Sequence, residues 1–485
     1  MEREKYILAG TLVAAPRRVL SNQMVTVKGD RITDVGPIPE TFFDPGAVSQ
    51  TEIIDARDKV VMPGLVNAHS HHTEVLQRSL RDALPFELWR LERRGVEDAL
   101  EPGYEELLTA NLICLLESLK HGTTAVLHHL SRRQRLEIVE IQACIDAAKM
   151  LGNRVVIAPS ISDVGWKPVM RVDEDPPAAR TEVESLIQAL DLIDKGPKTV
   201  AGIIGPTSIH TCSDGLLKRC VALAKETDLG IHTHFLETRL ESAQCSLNGE
   251  TVVERACRLG LFEVSVSLAH AIHISEAELD ELASRNAKVV HNPCSNLKLG
   301  SGLAKIREML ARGIVIGLGS DGGDTSDGYS LFDQMKMAAI MRRCSQPDFN
   351  AWISSVEAFA MATSGGAEIL GVRSGKIESD YLADICILKP GVRMWPHAGA
   401  DIINALVYAE NGSSVDTVLV GGEVVLTNGE STRLKQDELQ KRVRDVEDKV
   451  KLAKAIWENQ KESQDFKDGS RALAQQYQEA IKSST

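Results

Sequence analysis

Residues 63–72 read PGLVNAHSHH. The apolar run over 64–68 has strand character and ends in His69-Ser70-His71, an HxH tripeptide. On an extended chain, side chains two residues apart point to the same face, so His69 and His71 can bite one metal ion. Alone, the pair is equally compatible with surface or packing histidines. Its weight comes from the rest of the chain. GLVNAH is the first of eight apolar runs, the others being TAVLHHL, RVVIAPS, VAGIIGP, GIHTHF, VSLAH, AKVVHN and IVIGLGS. Amphipathic helical stretches such as YEELLTANLICLLESLKHG and IREMLARG lie between them. That alternation over residues 63–371 predicts an α/β domain with a parallel sheet, and eight units predict a distorted TIM (β/α)8 barrel.

Outside this stretch the texture changes. KYILAGTLV, QMVTVKGDRITDVG and TEIIDARDKVVMPG read as short strands with a hairpin signal at Gly29-Asp30, and YLADICILKP and SVDTVLVGGEVVLTNG repeat the pattern around Gly421-Gly422. Residues 1–62 and 372–430 are therefore expected to form one composite β-sandwich from both chain ends. From about Leu434 the chain is charged and free of Gly and Pro for a long stretch, which predicts a helical extension over 431–485. Leu434, Leu439, Val443, Val446, Val450, Leu452 and Ile456 recur at roughly helical spacing and suggest one buried stripe, serving assembly or stability rather than chemistry.

Charge and composition narrow the function. The 55 Lys and Arg against 68 Asp and Glu leave a net charge of −13, which repels nucleic-acid backbones and anionic membranes. There is no run of ~20 apolar residues and no secretory cleavage pattern, so a cytoplasmic protein is expected. Nine cysteines without a CxxC pair suit reduced, structural thiols. A homodimer or higher homo-oligomer is the expected assembly.

In a TIM barrel the active site collects at the C-terminal ends of the strands. His69 and His71 end the first expected strand, His128 and His129 the second, His270 the sixth and His291 the seventh; His232 and His234 lie within the fifth, and Asp321 follows the eighth. Adding His234 and Asp321 to the HxH pair gives three imidazoles and one carboxylate, a set suited to a divalent ion. Nitrogen and oxygen ligation makes zinc the default, with Fe2+ or another first-row ion an alternative.

Six stretches then resemble the amidohydrolase superfamily, in its branch of cytosine, guanine and adenosine-derivative deaminases and triazine hydrolases: PGLVNAHSHH at 63, HGTTAV at 121, HTHFLETRLES at 232, LAHAIHIS at 268, HNPCSNLKLGSG at 291 and LGSDGG at 318. SGKIESDYLADICIL at 374 matches the family's return to its β domain. The resemblance implies metal ligands His69, His71, His234 and Asp321, with Glu237, His270 and Asp321 acting in catalysis. It also implies a single ion, because VAGIIGPTSIHTCS lacks the modified lysine that binuclear members carry. Many relatives have a histidine where this chain has Thr207, and the loop SDGGDTSDGYS departs from the usual Asn-rich form. His128, His129, His210, His232 and His273 are read as structural. In the loop after the first strand, Phe86 and Trp89 are possible stacking surfaces, whereas most of Arg78, Arg81, Arg90, Arg93 and Arg94 are read as a solvated basic face.

The implied activity is hydrolytic deamination of an aminated nitrogen heterocycle, a purine, pyrimidine, pterin or triazine, giving the carbonyl product and ammonia. An alternative keeps the site but expels chloride or an alkylamine from a triazine-like ring. A third, an inactive amidohydrolase-like scaffold, is disfavoured because every implied ligand is present. The expected partner is a small-molecule heterocycle, with neither nucleic acid nor membrane.

Overall fold

The structure is a computed structural model and describes residues 4–43, 52–130, 135–164, 176–246, 249–391 and 401–483. The chain opens with β1 (Glu4–Ala15), β2 (Arg18–Lys28), β3 (Arg31–Pro37) and β4 (Glu52–Pro63). It continues through β5 (Leu65–His71), β6 (Thr123–His129), β7 (Arg154–Ala158), β8 (Ser160–Ile161), β9 (Val200–Gly202) and β10 (Gly205–Pro206). Then come β11 (Ile231–Phe235), β12 (Val266–His270), β13 (Lys288–His291), β14 (Ile316–Leu318) and β15 (Asp321–Gly322). Four strands close the series: β16 (Ile385–Leu388), β17 (Val415–Val420), β18 (Glu423–Thr427) and β19 (Glu430–Ser431).

Strands from both chain ends share one sheet, in the order β19-β18-β17-β16-β4-β1-β2-β3. The seam between the two halves is antiparallel β4 against β16, with Met62 opposite Cys386. Ile7, Leu12, Val25, Ile32, Val61, Ile385 and Leu419 form an apolar cluster joining strands that are far apart in the sheet order, and Ile32 N–H donates to Tyr381 C=O. The sheet is therefore strongly curled. Its hairpins turn where the sequence signals them: Gly421 and Gly422 take φ of 54° and 76°, the left-handed pair that suits the strand twist.

All eight apolar runs of the middle segment contain a parallel strand. They pair as β15-β5-β6-β7-β9 and β11-β12-β13-β14. Parallel bridges Ile204 to Ile231 and Ser208 to His234 lie between the two sets, and β15, just beyond β14, pairs with β5 through Asp321 opposite Ser70. Every residue of β5, β6 and β12 is buried, as expected where a parallel sheet is covered on both faces. Among the described residues all cysteines are free, and no helix is long and apolar enough to cross a membrane.

The C-terminal extension is two helices, Gln436–Gln460 and Gln464–Ser483. The first packs on α1 (Phe86–Leu100) and α2 (Tyr104–Lys120). Its buried face is narrower than the apolar pattern suggests. Val446, Ala453 and Trp457 are buried, but Leu452 is 62% exposed and Ile456 38%. The contact centres on Trp457, whose indole lies against Gly95 of α1, with Ala453 and Val96 in the same apolar cluster, and Leu452 and Ile456 fall outside it.

The small sheet is tied to the α/β unit by one buried carboxylate. Asp384 accepts from Arg154 Nε (2.9 Å) and Nη2 (3.1 Å) and from the Gly421 amide (2.7 Å), and its side chain is fully buried. Arg154 opens β7, so this ion pair crosses between the two units. Asp384→Ala would leave the guanidinium uncompensated and should cost about 3 kcal/mol, read as a lower urea midpoint; an unchanged midpoint would mean that the junction is held elsewhere.

Candidate active site

The ends of four strands bring six sequence-predicted residues to one mouth. His69 and His71 come from β5, His234 from β11, Glu237 from just beyond it, His270 from β12 and Asp321 from β15. His71 Nε2 lies 3.1 Å from His234 Nε2, and Asp321 Oδ1 lies 3.4 Å from His71 Nε2 and 3.6 Å from His69 Nε2. Two ligands ~2.1 Å from a tetrahedral zinc ion are ~3.4 Å apart, so these separations suit one ion.

Backbone carbonyls settle which nitrogens are bare. His71 Nδ1 sits 2.6 Å from His129 C=O and His234 Nδ1 2.5 Å from Thr207 C=O. A carbonyl can only accept, so both rings carry a proton on Nδ1 and, in the neutral tautomer this selects, turn the lone pair of Nε2 towards each other. Two lone pairs at 3.1 Å repel unless a cation lies between them. His69 faces the same point, its Nε2 buried and without a hydrogen-bond partner, while its Nδ1 meets His232 Nε2 at 2.8 Å. Burial pushes the His69 pKa down to about 3 and that of His234 well below the ordinary imidazole value, which favours the neutral, ligand-competent forms. The residues present therefore fit a divalent metal.

The carboxylates divide by environment. Burial works to raise the pKa of Asp321, but His69, His270 and His71 hold it well below the ordinary range. Its other oxygen accepts from Ser295 Oγ at 2.5 Å. Glu237 is pushed well above the ordinary range by burial and by the charges of Asp321, Glu241 and Glu87, which favours its protonated form. His270 Nε2 lies 3.9 Å from Glu237 Oε2, and its Nδ1 lies 2.9 Å from Asn296 Oδ1.

These groups open into a cavity of about 100 Å³ roofed by Phe86, Trp89, Arg90 and Arg93 of α1 and walled by Glu74, Ser160, Thr207, Ser208, His210 and Thr211. Phe86 and Trp89 are neighbours, with ring centroids 5.7 Å apart. The arginines differ from the solvated face expected of them. Arg93 is buried against Glu97 (3.0 Å) and Glu74 (3.6 Å), and Arg81 against Asp324 (3.4 Å). Arg90 reaches the cavity, where burial lowers its pKa to about 9. Arg78 pairs with Glu117 at 2.6 Å. The partners that bury these cations come mostly from segments that sequence proximity does not reveal.

The remaining histidines also separate. His232 backs His69, the ring of His129 stacks on His234 at 4.8 Å, His128 stacks on His72 at 3.8 Å, and His273 meets Ser301 C=O at 2.7 Å. His210 does not fit the structural reading. It lines the cavity, with Nδ1 3.2 Å from Glu241 Oε1, and Glu241 Oε2 in turn accepts from the Glu237 amide at 2.9 Å. Thr207 has its hydroxyl committed to Ser160 Oγ (2.7 Å) and Ile161 C=O (3.0 Å). Ser295 and Asn296 received no role from sequence, although HNPCSNLKLGSG follows a strand and was the signal that could have found them.

The amidohydrolase family pattern matches residues 60–425, and the chain belongs to that family. A 5-methylthioadenosine/S-adenosylhomocysteine deaminase of Pelotomaculum thermopropionicum is 31% identical over 439 residues, covering 87% of this chain and 93% of its own. The crystal structure of an adenosine deaminase from Xanthomonas campestris with bound zinc matches with a TM-score of 0.80 at 25% identity, over 93% of this chain and 99% of that one. A variant of the atrazine chlorohydrolase from Arthrobacter aurescens, complexed with zinc and atraton, matches with a TM-score of 0.81 at 25% identity, over 91% and 100%.

His232 supports a ring whose other nitrogen faces His71, His234 and Asp321, the group that fits a divalent metal. Its replacement by Ala should weaken Zn2+ affinity by about 10- to 100-fold, measured by chelator competition. Unchanged affinity would reduce His232 to packing.

Proposed function

We propose that this protein is a zinc-dependent hydrolytic deaminase of an aminated nitrogen heterocycle, with an adenosine-derivative nucleoside as the leading substrate class. One observation carries the reading: the Nε2 atoms of His69, His71 and His234 and the Asp321 carboxylate converge beside Glu237, whose buried carboxyl is pushed towards its protonated form, under an aromatic roof. The deaminase names of the relatives support the substrate class, and the zinc in the neighbouring structures supports the metal. Within this reading the two sets of parallel strands act as one closed, distorted barrel over 63–371, the curled sheet of 1–62 and 372–430 is the β-sandwich, and 431–485 is the helical extension.

His69, His71, His234 and Asp321 would hold the ion, which would make water acidic enough, with a pKa lowered towards roughly 7, to attack at neutral pH. Asp321, ionised and anchored by Ser295, accepts a proton from the attacking water. Glu237 delivers its proton to the ring nitrogen beside the reacting carbon, which lets that carbon become tetrahedral. His270, fixed by Asn296, hydrogen-bonds the developing oxygen. The proton taken by Asp321 passes to the exocyclic amine, ammonia leaves, and the hydroxyl proton returns to Glu237 as the amidine carbon becomes a carbonyl, so both carboxyl groups regain their starting states. Phe86 and Trp89 offer the faces on which the heterocycle stacks, and the cavity walls exclude bulk water.

Loss of chloride or an alkylamine from a triazine is the second reading, favoured by the atrazine chlorohydrolase likeness. Ammonia release across aminated purines, pyrimidines, pterins and triazines, with chloride measured alongside, separates the two. Elemental analysis should find one ion per chain, and His69→Ala combined with His71→Ala should remove it; two ions per chain would be incompatible with the assignment. Glu237→Gln should keep the metal and lower kcat by about 10²- to 10⁴-fold, whereas loss of metal would make Glu237 a ligand.

A further inference from the structure

We propose that Trp457 is a positioning residue for substrate binding, clamping α1 as the roof of the active site from the side away from the substrate. The proposal rests on the deaminase reading for its kinetic test only. α1 has two faces. One turns Trp89, Arg90 and Arg93 into the catalytic cavity. The other is covered by the C-terminal helices, which are its principal packing partners.

The clamp is tight at one point. A Cβ built at Gly95 would meet the Trp457 indole at 2.3 Å, so only glycine lets the ring lie against the α1 backbone. The indole is itself held. It is buried, packs edge-on to Phe466 at 4.8 Å, and its Nε1 reaches Glu92 Oε2 at 3.4 Å. The contact continues to the catalytic side through Arg90, which lines both the active-site cavity and a groove shared with Trp457 and Leu473. Helix Gln464–Ser483 also packs against helix Arg239–Ser246, which starts two residues after Glu237 and carries the Glu241 carboxylate that holds the Glu237 amide. The extension therefore braces the roof and the segment beside the proton donor together. Its first helix is anchored by Arg442 to Glu105 at 2.7 Å and by Lys449 to Glu106, both on α2.

A roof held only from outside should affect binding more than chemistry. In the full-length enzyme, Trp457→Ala should raise KM about tenfold while kcat stays within about threefold and the metal content is unchanged. Trp457→Phe, which keeps an aromatic ring against Gly95, should restore KM to within about threefold. A lower melting temperature with unchanged KM would make Trp457 merely structural and overturn the proposal. Should Trp457→Ala not yield folded protein, Gly95→Ala pushes the same contact apart from the other side and should raise KM in the same way; an unchanged KM there overturns the proposal equally. Amide hydrogen exchange needs no turnover. Residues 86–100 should exchange at least tenfold faster in Trp457→Ala, or in Gly95→Ala, than in wild type, and unchanged protection would overturn the clamp even if the enzyme proved to have another substrate. Wild-type protein that releases no ammonia, with exchange behaving as expected, would instead remove the deaminase reading and leave the clamp standing.

Discussion

The mutual repulsion of His71 and His234 organises the catalytic end of this protein. Each imidazole donates its Nδ1 proton to a backbone carbonyl, of His129 and of Thr207, and in that neutral tautomer presents a bare nitrogen to the other at 3.1 Å. Nothing in the side chains relieves that repulsion. The carbonyls belong to strand ends whose positions are set by neighbouring strands, so the tautomers are fixed by the fold before any ion arrives. A cation is the natural complement, and its affinity for the site draws on repulsion already built in. The same logic explains the second layer: His232, Ser295 and Asn296 each hold the far side of a group whose near side faces the candidate site.

Two glutamates four residues apart obey the same principle with opposite results. Glu237 looks towards Asp321 and further carboxylates, which with burial push its pKa well above the ordinary range. Glu241, equally buried, sits beside His210, which together with backbone amides holds its pKa below the ordinary value despite burial. Neither behaviour comes from residue type. Each comes from which groups the side chain faces, and the pair separates one carboxyl able to donate from one able to anchor.

What could be read in the sequence tracks the range of the interactions. His69 and His71 are legible because strand periodicity of two is local. The eight strands are legible because burial on both faces demands continuous apolar runs. His234 lies 163 residues beyond His71 and Asp321 further still, so no spacing rule joins them; the expected barrel, which gathers strand ends at one face, suggested the set, and the family resemblance gave its members their roles. Illegible features were those set by a distant partner's size or charge. Leu452 looks like a core residue, but the helix is seated on α1 through Trp457 against Gly95 and Leu452 is left exposed; Arg93 looks solvated until Glu74, from the segment before α1, closes on it. His210 looks structural because the carboxylate that fixes it, Glu241, stands on a separate helix far along the chain.

Backbone conformation marks the same strand ends as the seat of function. Leu236, His270, Ala271 and Asp321 all take positive φ, at 47°, 77°, 46° and 63°. For residues with a Cβ such conformations cost of order 1–3 kcal/mol each. All four fall where β11, β12 and β14 give way to the catalytic loops, and two of them are proposed catalytic residues. A chain selected only for stability would place glycine or asparagine there. The positive φ swings His270 and Asp321 off the strand direction and into the mouth, where Asn296 and Ser295 receive them. The strain is thus the geometric cost of making strand-end side chains converge on one point, and the well-packed strands beneath are what allow it to persist.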